Sequence, residues 1–107
     1  MRATIRHAAL LGGLIGLAAP APAQQADAAA LAKSKNCLAC HATHRNVVGP
    51  SFKVVSEKYA GKSDAVPQIA ARIAAGSSGI WGPVPMPANR VSADEARQLA
   101  EWILTIK

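Results

Sequence analysis

Residues 37–41 read Cys37-Leu38-Ala39-Cys40-His41, and this run decides what the rest of the chain has to build. A C-x-x-C-H run is typical of a site where haem is attached covalently. Two thiols one helical turn apart can add to the two vinyl groups on one edge of a porphyrin, and His41 is then held beneath the iron as a ligand. The run therefore predicts one covalent haem, and the other segments are expected to form the walls around it.

Two other interpretations of the same residues involve different chemistry. A thioredoxin-like redox pair needs a βαβ context, and no alternating, strand-like stretch follows the motif. A zinc site could use Cys37, Cys40, His41 and His44, but structural zinc sites normally bring two ligand pairs from separate segments. Four ligands crowded into one short run would close a tetrahedron badly, so the spacing favours haem.

The first 23 residues have the pattern of an export signal. Arg2 and Arg6 form a positive start, residues 8–19 are apolar, and Ala21-Pro22-Ala23 offers an A-x-A cleavage site. The apolar run is shorter than the ~20 residues that span a bilayer, which favours a cleaved signal over an uncleaved membrane anchor. We predict a signal peptide over residues 1–23 and one domain over residues 24–107, located in the periplasm and without stable membrane insertion.

Composition agrees with a small domain that contains a cofactor. A chain of 107 residues buries a modest core, and only two cysteines, too close together to link distant segments, are present. A buried haem would supply the missing apolar volume. The net charge of +6 is spread along the chain rather than clustered. This distribution argues weakly for an acidic partner surface and against nucleic-acid binding.

Helical patterns follow one another along the chain, which predicts an all-α fold. Residues 26 to about 36 are rich in alanine, the residue with the best helix propensity. Residues 52–59 carry an apolar face that ends at Gly61. A third helix is expected between a cap at Ser63 or Asp64 and an end at Gly76, with its proline tolerated in the first turn.

The last predicted helix, residues 92–106, has the clearest pattern. Ser92 and Glu95 form an S-x-x-E capping box. Five apolar residues share one face of this helix: Ala96, Leu99, Ala100, Ile103 and Ile106. This stripe has to be buried, and the alanine-rich first helix is the expected partner.

Residues 76–89 form a stiff loop that contains Met86. Three prolines in five positions exclude a helix there. If the iron has a sixth ligand from the protein, the candidates are His44, Met86 and a lysine. His44 follows His41 too closely to reach the opposite face of the ring easily, whereas Met86 can reach it. Methionine paired with histidine raises the reduction potential of haem.

Two further residues are candidates for the walls of the site. A haem-ligating histidine usually gives its other N–H to a carbonyl, and a carbonyl near Pro50 is a candidate acceptor. Arg72 lies beside the apolar face of the third helix. It could reach a haem propionate or remain in solvent, and the residues alone leave both options open.

These segments together resemble the class I c-type cytochromes, in particular the short bacterial monohaem group called cytochrome c-551 or c-552. The resemblance covers residues 27–107 and depends on four stretches: Cys37-Leu38-Ala39-Cys40-His41, Val48-Gly49-Pro50, Gly79-Ile80-Trp81-Gly82-Pro83-Val84-Pro85-Met86-Pro87 and Val91-Ser92-Ala93-Asp94-Glu95-Ala96. It implies a small cytochrome c fold of four to five helices around one haem c, with the first and last helices crossing. It also implies thioether bonds from Cys37 and Cys40 and axial ligation of iron by His41 and Met86.

The same resemblance implies roles for four surrounding residues. The Pro50 carbonyl would orient the histidine ligand, Arg72 and Trp81 would bond a propionate, and Asn89 would donate to the methionine sulfur. The chain departs from the family pattern at Ala88, where a second proline is common after the methionine. Because Ala88 stands between Met86 and Asn89, this departure affects the loop that would hold Asn89 near the methionine sulfur.

Iron with two protein ligands has no open position, so the sequence predicts a one-electron carrier rather than an enzyme. The chain is also expected to be a monomer. The resemblance suggests a quinol-oxidising complex as electron donor and an oxidase or nitrite reductase as acceptor. Two alternatives remain. In one, Met86 is displaced and the iron binds peroxide or a gas. In the other, the chain is a fixed haem subunit of a dehydrogenase or oxidase complex.

Overall fold

A computed structural model of the chain describes residues 12–16 and 22–107. Its helices, in chain order, are α1 (Pro22–Ser34), α2 (Phe52–Tyr59), α3 (Ala65–Ala75) and α4 (Ala93–Ile103), with a short 3-10 turn at Cys37–Ala39 between α1 and α2. Among the described residues, the only strand-like pairing is one isolated antiparallel bridge. The predicted all-α fold is confirmed.

The ends of the helices follow local chemistry. The Ser51 side chain accepts a hydrogen bond from the Val54 N–H and caps α2. Both halves of the predicted capping box are present at the start of α4, where the Ser92 and Glu95 side chains each accept from the other residue's backbone N–H, at 3.0 and 2.9 Å. Gly76, with φ of 81°, stands at the end of α3.

Two helix boundaries differ from the prediction. Helix α1 begins at Pro22 and ends at Ser34, so it starts and ends earlier than residues 26 to 36. Helix α4 ends at Ile103 rather than Ile106. Its last turn tightens because the Thr105 N–H and side chain both bond to the Trp102 carbonyl, at 2.9 and 2.6 Å.

The apolar stripe of α4 forms the centre of the core. Ala96, Leu99, Ala100 and Ile103 are all buried, and they pack against residues from α1, α2 and α3. Ala32 of α1 is fully buried in the same cluster. Because both helices present small side chains, their backbones can approach closely. The predicted contact between α1 and α4 is therefore confirmed, and α3 is a second large partner of α4.

Trp102 packs beside this core in a position that the sequence left undefined. Its ring meets the Phe52 ring edge to face, with the centroids 5.3 Å apart and the planes at 69°. This contact links α4 to the start of α2. Since Phe52 also touches His41, the contact connects the core to the predicted site.

The predicted signal peptide, residues 1–23, lies largely outside the described residues, and the domain boundary at residue 23 stays a prediction. Helix α1 spans that boundary, because it starts at Pro22. None of the helices within residues 22–107 combines the length and the apolar character needed to cross a membrane.

Candidate functional site

A cavity of about 560 Å³ lies between the segment after α1, the core and the loop after α3. Its volume falls within the range of small-molecule and cofactor sites. Core side chains of α2, α3 and α4 form its floor. All eight residues that the sequence singled out line this one cavity: Cys37, Cys40, His41, Pro50, Arg72, Trp81, Met86 and Asn89.

One wall is the attachment segment, residues 36–52, which begins at the left-handed Asn36 with φ of 59°. The N–H groups of Cys40 and His41 both donate to the Cys37 carbonyl, at 3.2 and 3.0 Å, and so curl the C-x-x-C-H run into a tight turn. Both thiols are free. Burial raises the pKa of the Cys37 thiol, which keeps it protonated at neutral pH. The turn thus places two thiols and one imidazole on the same wall.

The His41 ring is held on three sides. Its Nδ1 lies 2.7 Å from the Pro50 carbonyl oxygen. Because a carbonyl oxygen only accepts, Nδ1 must donate, and the lone pair of Nε2 stays available for a metal. The Phe52 ring stacks on the imidazole at 5.2 Å between centroids and 21° between planes. Gly49 lies so close to the ring that a Cβ there would be 2.5 Å from His41 Cε1.

A second part of the cavity lining is the methionine loop, residues 77–89. Ser77 and Met86 exchange two backbone hydrogen bonds, of 3.0 and 2.8 Å, which close the base of the loop. The Asn89 amide donates to the Ile73 carbonyl at 2.9 Å and to the Pro87 carbonyl at 3.4 Å. The family resemblance implied a bond from Asn89 to the methionine sulfur. In this structure both described bonds of the amide go to carbonyls, so Asn89 ties the loop to α3.

Arg72 supplies a partly buried positive group at the cavity. Its Nε is buried and has no hydrogen-bond partner among the described residues. Buried polar groups are normally satisfied, and a guanidinium bonds most strongly to an acidic group. Trp81 lies on the same wall, 38% exposed, with Lys58 Nζ 5.2 Å from its ring centroid. An apolar cavity with an unsatisfied arginine at its wall suits a large, flat, mostly apolar ligand that carries carboxylates.

Two alternatives lose support from this arrangement. His44 does not line the cavity, and its ring nitrogens lie 3.1 Å from Thr43 Oγ1 and 3.1 Å from the Lys107 carbonyl oxygen. It is therefore occupied elsewhere and is a poor sixth ligand. The zinc interpretation fares no better, because no group of three or more His, Cys, Asp or Glu within the described residues could hold a metal ion.

Sequence reasoning missed the part that Gly49 and Phe52 play at the histidine. In the sequence, Gly49 was noted only as part of the Val48-Gly49-Pro50 stretch, and Phe52 only as the start of the apolar face of residues 52–59. A glycine directly before the proline that accepts from the ring was the available signal for a close backbone approach. The stacking of Phe52 had no such local signal.

A family model described as cytochrome c matches residues 25–107. The chain belongs to the cytochrome c family. It is 51% identical over 81 residues to a cytochrome c-551 of Pseudomonas aeruginosa, an alignment that covers 76% of this chain and 78% of the relative. It is 54% identical over 84 residues to a cytochrome c-552 of Nitrosomonas europaea, covering 78% and 81% of the two chains. The resemblance seen in the sequence is confirmed.

Solved structures of cytochromes c have the same fold. The crystal structure of wild-type Nitrosomonas europaea cytochrome c552 superposes with a TM-score of 0.72 at 52% identity, covering 74% of this chain and 99% of that one. Proteins of the cytochrome c family bind one covalent haem c with its iron and transfer electrons. The cavity fits this cofactor, because it combines two free thiols, an imidazole, apolar walls and an unsatisfied arginine.

Proposed function

We propose that this cytochrome c is a one-electron carrier whose haem is bound through Cys37 and Cys40 and whose iron is ligated by His41 and Met86. The observation that supports this most directly is that both thiols, the imidazole and the thioether line one cavity. In each attachment, the thiol S–H adds across a vinyl double bond. The sulfur bonds to one vinyl carbon and the hydrogen to the other, so no oxidant is needed.

His41 is prepared for its role before any metal arrives. The Pro50 carbonyl fixes the tautomer by accepting from Nδ1, which also makes Nε2 a stronger ligand. Gly49 and Phe52 restrict the ring from two further directions. The imidazole therefore loses little rotational freedom on binding, which favours permanent ligation.

Met86 supplies the second ligand from a loop stiffened by prolines. The Ser77–Met86 bridge holds its backbone, and the side chain is half-buried at the cavity. Haem, when bound, supplies a single electron through the Fe(III)/Fe(II) couple, and histidine–methionine ligation raises its potential. If His41 and Met86 both bind the iron, no position would remain there for a substrate.

Arg72 and Trp81 are proposed to bond a haem propionate. The buried Arg72 Nε lacks a partner among the described residues, and a propionate carboxylate would accept its hydrogen. The Trp81 indole N–H is a donor with no accepting function, so it suits the same carboxylate. Asn89 is proposed to complete the wall by holding the end of the methionine loop.

The partners are proposed to be redox proteins that dock briefly on a small surface, as weak electron-transfer complexes do. We propose a quinol-oxidising complex as donor and an oxidase or nitrite reductase as acceptor. Residues 1–23 are proposed to direct export to the periplasm and to be removed there. The mature chain would then act as a monomer.

Spectra of the purified protein test this function. The ferric protein should show the near-infrared absorption band of methionine-ligated haem, and the ferrous protein should not bind carbon monoxide readily. Absence of the band together with ready binding of carbon monoxide would favour a gas- or peroxide-binding protein. Co-purification with a large partner at high salt would instead favour a fixed subunit of a complex.

A further inference from the structure

We propose that Gly76 is a positioning residue for Met86, because its lack of a side chain lets the Met86 backbone lie directly against the end of α3. This inference rests on the proposed ligation of iron by Met86. Gly76 does not line the cavity and was assigned by sequence only to the end of a helix. Its close approach to the backbone of residues 86–88 indicates a second role.

The space around Gly76 has no room for a side chain. An added Cβ would lie 2.6 Å from the Met86 carbonyl oxygen, 2.9 Å from the Ala88 nitrogen and 3.1 Å from the Pro87 carbonyl carbon. All three neighbours are backbone atoms, so no rotation of a side chain can relieve the contact. Any larger residue at this position has to push the methionine loop away from α3.

The backbone conformation at Gly76 also requires glycine. Its φ of 81° and ψ of 176° fall in a region that essentially only glycine adopts. The Gly76 N–H donates to the Arg72 carbonyl at 2.9 Å, which joins this conformation to the last turn of α3. Ser77 follows at once and exchanges both bridge hydrogen bonds with Met86. The direction in which the chain leaves α3 thus sets the position of Met86.

The far end of the methionine loop returns to the same helical turn. Asn89 donates to the Ile73 carbonyl at 2.9 Å. The described loop contains no helix of its own, so its placement depends on these ties to α3. Arg72 lies in that turn as well and lines the cavity. One turn of α3 therefore supports the methionine loop at both ends and supplies the arginine of the site.

Gly61 offers a matched control away from the cavity. It also has a positive φ, of 75°, but nothing lies within 4 Å of a Cβ added there. Gly61→Ala therefore adds the same methyl group at a similar φ without any contact to Met86. We expect Gly76→Ala to lose most of the near-infrared ferric band and Gly61→Ala to keep it.

Binding of carbon monoxide to the ferrous protein measures how strongly Gly76→Ala favours release of Met86 from the iron. Gly76→Ala should raise the apparent affinity about tenfold or more, which corresponds to about 1.4 kcal/mol in the equilibrium between bound and released methionine. Gly61→Ala should stay close to the wild type. If the wild type shows the ferric band and the two variants behave alike, the inference is overturned. The proposed function would still stand in that case.

A double variant separates positioning from a general structural role. In a Met86→Ala background, Gly76→Ala should change neither the potential nor the carbon monoxide affinity further, because the ligand that it positions is gone. An equal effect in both backgrounds would refute the inference. If the wild type itself lacks the ferric band, Met86 is not the ligand, and the proposed function fails together with the inference.

Hydrogen exchange of the wild-type holoprotein needs no variant and covers the case in which Gly76→Ala does not accumulate. The amides of Ser77 and Met86 should exchange together and more slowly than the amide of Gly79. Exchange of all three at the same rate would show that the bridge does not hold Met86, and the inference would be wrong.

Discussion

The two walls of the haem cavity are built by opposite means. The attachment segment carries its thiols and imidazole within five consecutive residues, and its supporting groups, Gly49, Pro50 and Phe52, follow within eleven residues of His41. The methionine loop has no helix among its described residues and is held by one bridge and one asparagine. The comparison teaches that the position of His41 is fixed by local sequence, whereas that of Met86 is fixed by where α3 ends.

Removal of both thiols should have the largest effect and should abolish the attachment wall. Cys37→Ala combined with Cys40→Ala is expected to yield no covalent haem and little folded protein, because the small core loses the ligand around which it closes. Domains are stable by only ~5–15 kcal/mol, so the loss of the haem contacts should be enough to unfold this small one. Haem staining after denaturing electrophoresis and far-UV circular dichroism measure it. Haem that stays bound under denaturing conditions would contradict the proposed attachment.

Met86→Ala should affect the other wall alone. Covalent haem should be retained, since the attachment segment is untouched, while the ferric near-infrared band is lost. The potential should fall on the order of 100 mV, about two decades in the ratio of ferrous to ferric protein at 59 mV per decade. A redox titration measures it. An unchanged potential would exclude Met86 as the ligand.

Gly49→Ala should strain the attachment segment without displacing the methionine loop. A Cβ 2.5 Å from His41 Cε1 has to displace the ring or its backbone, which typically costs about 1–3 kcal/mol. Thermal unfolding measures the loss, and the ferric near-infrared band should persist. Unchanged stability of Gly49→Ala would show that the ring is not tightly held.

Asn89→Ala tests the single side chain that ties down the methionine loop. The Ile73 carbonyl would lose its 2.9 Å partner, which should reduce the free energy of unfolding by about 1 kcal/mol. Because the loop would be freer, the ferric band should be lost at a lower temperature than in the wild type, ahead of global unfolding. Loss of the band and of helix at the same temperature, as in the wild type, would mean that the asparagine does not control the loop.

The smallest effect is expected at Glu95, away from both walls. The Ser92 backbone N–H, followed by the nearby charge of Lys35, lowers the pKa of this carboxyl below its ordinary value. Its stabilising contribution is therefore complete above the ordinary pKa and is lost as the pH falls through the lowered one. Glu95→Gln should flatten the decline in stability with acid over that range. A decline as steep as in the wild type would assign the acid sensitivity to other groups.

Sequence patterns predicted the helices and caps that depend only on residues close together in the chain. Helix α2 spans residues 52–59 as the apolar spacing indicates, and the capping box of α4 forms with both of its hydrogen bonds. The early start of α1 at Pro22 was missed, because alanine-rich sequence gives no sharp boundary. The bond from the Asn89 amide to the Ile73 carbonyl had no local signal either, since an amide can reach any acceptor that the fold brings near.

The sequence by itself determined the attachment chemistry, the all-α class and the family, because these depend on spacings within a few residues. Only the tertiary structure decided that Phe52 stacks on His41, that Trp102 packs on Phe52 and that Gly76 lies against the Met86 backbone. The physical reason is that such contacts join residues from separate elements. Their distances depend on how α3 and α4 pack, and no short stretch of the chain encodes that packing.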